Sequence, residues 1–338
     1  MKTKERVMSE SIRDFAHWIK SQGLEHTLPR ELSKLGNLTS LDLSRKKLKS
    51  LPESIGALQN LSVLKISGNR LRELPNNICL LKNLRNLQCE NNLLQSLPEH
   101  FGELSSLVIL NLNGNQLSTL PQSFYTLTNL TRLTLAVNRL SHLDTAFKNL
   151  KKLLHLSLDT NYFEHLPDVF STMQSLYYLD LSFNKLTTLP ESLSEIQELE
   201  TLILEGNLLQ NLPSLEAHDM LIKLNLASNH LRSIDFDLSK LEDLQILSLE
   251  NNLLETLPSS LCKLTKLTSL DVSANKLKTL PECIGNLSNL YELDVEENCL
   301  SSLPNSLKNL VHLKNLFIAN NHNLQKPNLP SLEYCDIK

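Results

Sequence analysis

The sequence predicts an α/β solenoid: short parallel strands stacked side by side, extended segments and 3-10 turns returning along the opposite side, and a helix covering the N-terminal end. Three observations predict it. The pattern L-x-x-L-x-L-x-x-N-x-L occurs thirteen times, with first leucines Leu38, Leu61, Leu84, Leu107, Leu130, Leu153, Leu176, Leu199, Leu221, Leu244, Leu267, Leu290 and Leu313. The period is 23 residues, except for 22 between Leu199 and Leu221. A downstream Leu-Pro recurs in register, in eleven pairs from Leu28-Pro29 to Leu303-Pro304, with Asp144 and Asp235 where two prolines are missing. A fixed period of this length is the signature of a stacked repeat architecture.

Each element follows in order. Residues 1–23 form the predicted cap. Val7, Met8, Ile12, Phe15, Trp18 and Ile19 fall on one helical face that ends at Gly23, a residue suited to the C′ position. A helix so patterned covers the core that a solenoid exposes at its end; the competing reading is a partner-binding amphipathic helix. Residues 24–338 form the repeat domain, thirteen repeats plus a shortened terminal strand. Within L-x-L, leucine alternates with polar residues, as in a strand with one buried face. The asparagine follows where the chain turns inward, and its amide offers both donors and acceptors to the backbone groups left there. The first repeat has Lys46 instead. The Leu-Pro then directs the chain into an extended path, because the residue before proline is pushed out of the α region. At the C-terminal end Asn323 stands where a core leucine is due, and Leu332, Cys335 and Ile337 fit a last strand. The chain therefore ends on an edge strand, or a further C-terminal region belongs after it.

The segments LPESIGALQNL (51–61) and LPECIGNLSNL (280–290) carry a resemblance to the leucine-rich repeat superfamily, in its 23-residue L-P-x-x-I intracellular class, over about residues 28–325. The resemblance implies a horseshoe with a parallel concave β-sheet, convex loops and 3-10 turns. It also implies a protein-binding role, since the class includes scaffolds of small-GTPase pathways and effectors of intracellular bacterial pathogens. NLPSL (328–332) resembles the shorter repeats of secreted bacterial effectors and favours that branch.

Charge and composition narrow the partners. A net charge of -4 gives no general attraction to nucleic acid. No stretch approaches the length of a membrane span, and no secretory leader is evident. Six cysteines are scattered without the spacings of a disulfide cap or a C-x-x-C metal site, which reads as a reducing cytosol. Sequons at Asn37, Asn60, Asn129 and Asn286 all arise from the repeat template. No phosphate-binding loop, zinc-protease or nucleophile-elbow motif occurs. His142 and His165, with Asp144 and Asp168 nearby, are better read as solvated loop residues than as metal ligands. Cys335-Asp336 resembles the catalytic cysteine motif of ligases fused to effector repeats over two residues only.

The message lies in positions that the template leaves free: the third, fifth, seventh, eighth and tenth of each repeat. Early repeats offer a basic flank of Arg45, Lys47, Lys65 and Arg70. Central repeats offer Arg132, Val137, Arg139, His155, Tyr162, Tyr178, Phe183, Lys185 and Ile203, aromatic and arginine choices that interface hot spots favour. Late repeats offer an acidic flank of Glu250, Asp271, Glu292, Asp294, Glu296 and Glu297. The sequence thus predicts a non-enzymatic, monomeric module without cofactor or metal. It is expected to bind a folded protein on its concave face, in the cytoplasm or, for a secreted effector, in the host cytosol. The alternatives are a substrate-recruiting domain of a larger enzyme such as a ubiquitin ligase, and a small-GTPase-pathway scaffold.

Overall fold

The computed structural model of the chain describes residues 2–27, 32–322 and 324–336, the side chains of 2–9, 32 and 33 excepted. The side chains of Val7 and Met8, the Leu28-Pro29 pair, Asn323 and Ile337 lie outside the described residues. The chain divides into two compact units, 1–161 and 162–338.

Unit 1 opens with α1 (Lys2–Ser21). Its C-terminus is closed by Gly23 at φ 68°. The Gly23 N–H donates to Lys20 and the Leu24 N–H to Ile19, the paired bonds of a left-handed cap. Phe15 and Ile19 are fully buried, and α1 packs on the 3-10 segments Leu32–Asn37 and Glu53–Ala57. The strands of this unit are β1 (Ser40–Asp42), β2 (Val63–Lys65), β3 (Asn86–Gln88), β4 (Ile109–Asn111), β5 (Arg132–Thr134) and β6 (His155–Ser157). They pair in parallel in chain order.

Unit 2 carries β7 (Tyr178–Asp180), β8 (Thr201–Ile203), β9 (Lys223–Asn225), β10 (Ile246–Ser248), β11 (Ser269–Asp271), β12 (Glu292–Asp294), β13 (Asn315–Phe317) and β14 (Tyr334–Asp336). These too pair in parallel in chain order. The final strand expected around Cys335 is present as β14.

The template leucines form the core of each unit. The middle strand leucines, such as Leu64, Leu133, Leu179 and Leu224, are wholly buried. The asparagines serve the backbone as their amide chemistry predicts. In unit 2, Nδ2 of Asn207 donates to the carbonyls of Leu181 and Leu204 at 3.0 Å each, while its Oδ1 accepts from Leu186 N–H at 3.0 Å. In unit 1, Asn69 satisfies the Lys46 N–H that the first repeat would otherwise leave unpaired.

Prolines enter the 3-10 turns in extended conformation, as at Pro52 (φ -78°, ψ 152°). Asp144 takes the same conformation where proline is missing, and its carboxylate accepts from Ala146 N–H at 2.7 Å. In the other proline-free repeat the cap falls two residues after Asp235, on Asp237. The 22-residue repeat has no 3-10 turn between β8 and β9.

The cysteines require a correction. Cys262 and Cys283 form a disulfide, with Cα atoms 5.6 Å apart. Their separation of 21 residues is close to one repeat, so stacking places them on neighbouring turns, Ser259–Lys263 and Glu282–Asn286. The spacing of a solenoid pairs cysteines that a search for local clusters passes over.

Candidate functional site: the exposed face of the strands

Two backbone rules shape this face. At position five an oxygen-bearing side chain accepts the N–H two residues on, closing the strand's end. Asp42, Asn111, Asp180, Asn225, Asp271 and Asp294 all make this bond. At position eight every repeat is left-handed, with φ between 50° and 67°, whether the residue is Gly68, Asn91, Gly114, Gly206 or a bulky side chain. Glycine and asparagine suit that conformation, whereas other L-residues meet a steric cost of about 1–2 kcal/mol.

Unit 1 holds four of the expected central residues and the basic flank. Arg132 is exposed and in register with half-buried His155. Burial, and then the Arg132 charge, push the His155 imidazole down to about 4, so it is neutral at physiological pH. Val137 is 52% exposed at φ 54°, a β-branched side chain in a left-handed position. Arg139 is exposed beside it in sequence. Of the basic flank, Arg45, Lys47 and Arg70 are exposed and Lys65 is half-buried. Arg45, Lys46 and Lys65 share an open concavity with His26, Asp42 and Glu90, so this flank is mixed in charge rather than purely basic.

Unit 2 holds the aromatic part. Phe183 is 53% exposed at φ 51°. Its ring lies against the next repeat's position-eight glycine: a Cβ built on Gly206 would stand 2.6 Å from Cδ1 of Phe183. Gly206 thereby makes room for the ring. Tyr162 is 49% exposed, and Lys185 places Nζ 5.3 Å from its ring centroid, a cation–π contact. Tyr178 differs from expectation: it is half-buried, and its hydroxyl donates to Asp180 at 3.3 Å. Ile203 is also half-buried. Tyr177, at position two, is more exposed than Tyr178, at 40%. Sequence reasoning passed over Tyr177 because position two was not counted as part of the face, and over the exposed Leu208, at position ten, because leucine reads as template.

The acidic flank lies wholly in unit 2. Glu250 and Glu297 are exposed, and Asp271, Glu292, Asp294 and Glu296 are half-buried. Burial, reinforced by the charges of Asp271, Glu296 and Glu250, pushes Asp294 up to about 7 against one lowering bond from Glu296 N–H. Glu250 is raised by burial and then by Asp271, Glu205 and Glu297. Glu296 is raised by burial and then by Asp336, Glu297 and Asp271. The carboxylates repel one another.

His142 and His165 are exposed loop residues, each in its own unit. Asp168 accepts from Ser192 N–H at 2.9 Å. Among the described residues, no group of three or more His, Cys, Asp or Glu is arranged to hold a metal. No helix among them is long and apolar enough to cross a membrane.

A stack of similar repeats with a leucine-rich interior and a variable exposed strand face defines a repeat-built binding scaffold. Two family models match the chain: "Leucine-rich repeat region" over residues 220–333, and "Leucine rich repeat" over 82–140 and 166–209. A leucine-rich repeat protein of Leptospira interrogans is 31% identical, covering 91% of this chain and 94% of that one at a TM-score of 0.68. The chain belongs to the leucine-rich repeat family. It is also similar to YopM, a leucine-rich effector protein from Yersinia pestis, at 26% identity and a TM-score of 0.76, over 98% of this chain and 88% of that one. The functional domain of InlJ from Listeria monocytogenes, which includes a cysteine ladder, matches at 26% identity and a TM-score of 0.72, over 89% of this chain and 68% of that one. Comparison with curated protein sequences finds no match.

Proposed function

We propose that this chain is a protein-recognition module of the bacterial effector kind, a monomer that binds a folded host protein in the host cytosol through its strand face. Residues 1–23 serve as its cap and 24–338 as its binding domain. The observation that carries this reading is Phe183. Position eight is left-handed in every repeat, a conformation least costly for glycine or asparagine, and here the chain places a half-exposed phenyl ring with Gly206 beneath it. The left-handed backbone belongs to the repeat, but an exposed phenyl ring kept on it supports a role outside folding. Tyr162 and Lys185 enlarge the same surface in unit 2 with the side-chain types that anchor interfaces. The likeness to YopM over nearly the whole chain supports the effector reading.

The test is affinity capture from host-cell lysate with the wild type and the Phe183→Asn/Tyr162→Ala variant, comparing captured proteins by quantitative mass spectrometry. The expected outcome is loss of one or a few proteins in the variant. Capture of an unchanged set would refute the reading.

A further inference from the structure

We propose that the strand face of unit 2 takes an extended cationic segment of a partner protein, laid across β8 to β12 with an apolar side chain against Phe183 and Ile203 and Lys or Arg side chains over Asp271 and Asp294. This rests on the recognition reading above and names the chemistry of the partner.

The first ground is that the fold does not ask for these charges. The strand-end bond at position five needs one acceptor oxygen. Asn111 supplies it from an amide at 3.1 Å and Asn225 at 3.0 Å, just as Asp271 does at 3.0 Å and Asp294 at 2.9 Å from a carboxylate. Asp271 and Asp294 are register partners on adjacent strands, where like charges directly opposite destabilise a sheet. The negative charge is therefore surplus to folding and is held against repulsion.

The second ground is that acidic residues outnumber basic ones on this face. Positions five and seven of the repeats that carry β8 to β13 contain Glu205, Glu250, Asp271, Asp294 and Glu296 but no lysine or arginine, and Lys223, at position three of β9, is the one cation on those strands. Lys266 and Lys314 pair elsewhere, with Asp243 and Glu333. A predominantly acidic face, partly desolvated around Asp271 and Asp294, is complementary to a cationic partner, and charge-assisted bonds formed there gain from the reduced dielectric.

Spacing fixes the shape of the segment. From β8, which carries Ile203, to β11, which carries Asp271, is three strand steps of ~4.8 Å, or about 14 Å. An extended chain covers that in four or five residues at ~3.3 Å each. The apolar anchor and the first basic residue should be separated accordingly.

The experiment uses fluorescence anisotropy with a labelled W-S-G-S-G-R-K-R peptide against the full chain. Asp271→Asn/Asp294→Asn keeps both strand-end bonds, so its melting temperature should rise while its affinity for the peptide falls about tenfold or more. Phe183→Asn should weaken the same peptide, and replacing R-K-R by E-E-E should abolish binding. Equal affinity of wild type and the double-Asn variant, or no binding of the basic peptide by the wild type, would overturn the proposal. So would self-association of the wild type that the double-Asn variant loses, because the occupant would then be the basic flank of a second copy. The lysate capture distinguishes the two levels. Captured proteins sensitive to Phe183→Asn/Tyr162→Ala but not to the double-Asn variant would leave recognition standing and remove the cationic partner.

Discussion

His218 Nδ1 lies 2.8 Å from the carbonyl oxygen of Ile196, and this contact replaces a backbone bond that the short repeat has lost. Ile196 stands three residues before its repeat's first leucine. At that place Leu58, Leu150 and Leu241 have ψ of 55°, 51° and 64°, and their carbonyls accept from the N–H three residues on. Ile196 has ψ 117°, and its carbonyl receives no such bond from Leu199. His218 occupies the same place one repeat later, where the other repeats carry Leu, Met or Ile, and its side chain is fully buried. A carbonyl accepts, so Nδ1 carries the proton, and Nε2 is left buried without a partner.

Acid should therefore loosen this repeat. Burial lowers the His218 pKa, against smaller raising effects from the Ile196 bond and Asp219. With its folded value below the unfolded ~6.5, the group's contribution to stability is complete above pH 6.5 and is lost as pH falls from there toward the folded value. His155 acts in the same direction. His218→Leu should flatten its share of the acid limb while orphaning the Ile196 carbonyl, which costs about 1–3 kcal/mol at pH 7.5. Urea unfolding between pH 5 and 8 measures both. An unchanged pH slope would refute the assignment.

The interior of this protein was legible in its sequence, and its variable face only partly so. Leu64, Leu179 and Asn207 are dictated by a period, so alignment alone placed them. Phe183 was recognisable as a residue the template did not require, but the positive φ beneath it and the service of Gly206 are relations between neighbouring repeats. Tyr178 misled because the pattern gives which side of the strand it leaves from, not how far the hydroxyl folds back to Asp180. The acidic flank was visible as letters. What was not visible is that Asn225 makes the same backbone bond as Asp271, which separates structural oxygen from surplus charge. His218 and the Cys262–Cys283 pair escaped for a related reason: each makes sense only beside the repeat before or after it.

Removing one ladder amide should be costly. Asn207 is 4% exposed and serves three backbone groups. Asn207→Leu leaves Leu181 and Leu204 carbonyls and the Leu186 N–H without it, each orphaned group costing about 1–3 kcal/mol. Total destabilisation of about 3 kcal/mol or more is expected in chemical denaturation, with faster hydrogen exchange at Leu186.

Val137 offers the opposite sign. Its left-handed, β-branched backbone carries a steric cost, and its exposed side chain contributes little burial. Asn91, Asn251 and Asn320 hold the same position elsewhere. Val137→Asn should raise stability by about 1 kcal/mol. A loss instead would show that the valine packs usefully on the folded chain.

The disulfide should staple unit 2 only under oxidising conditions. A bridge closing a loop of 21 residues restricts the unfolded chain by about 3 kcal/mol on the chain-entropy account. Cys262→Ser/Cys283→Ser should lose about 2–3 kcal/mol without reductant and match the wild type once the wild type is reduced. Equal stability of the two proteins without reductant would mean that the bridge is not formed.

Asp294 should tilt the stability profile the other way from His218. Its folded pKa is raised to about 7, chiefly by burial and then by Asp271, Glu296 and Glu250. An unfolded aspartate releases its proton near 3.9. Between those values the folded chain holds the proton that the unfolded chain has lost, so stability falls as pH rises from about 4 to 7 and is level above. Asp294→Asn retains the bond from Glu296 N–H and has no proton to lose. The variant should match the wild type near pH 4 and exceed it at pH 7.5 by about 1 kcal/mol after allowance for solvent screening, or about 2–4 °C in melting temperature. Salt should shrink the gap, since added ions screen the repulsion from Asp271 and Glu250. A variant no more stable than wild type at pH 7.5 would mean that the carboxylates of β10 to β12 do not oppose folding. The charge at Asp271 and Asp294 would then need no partner to account for it.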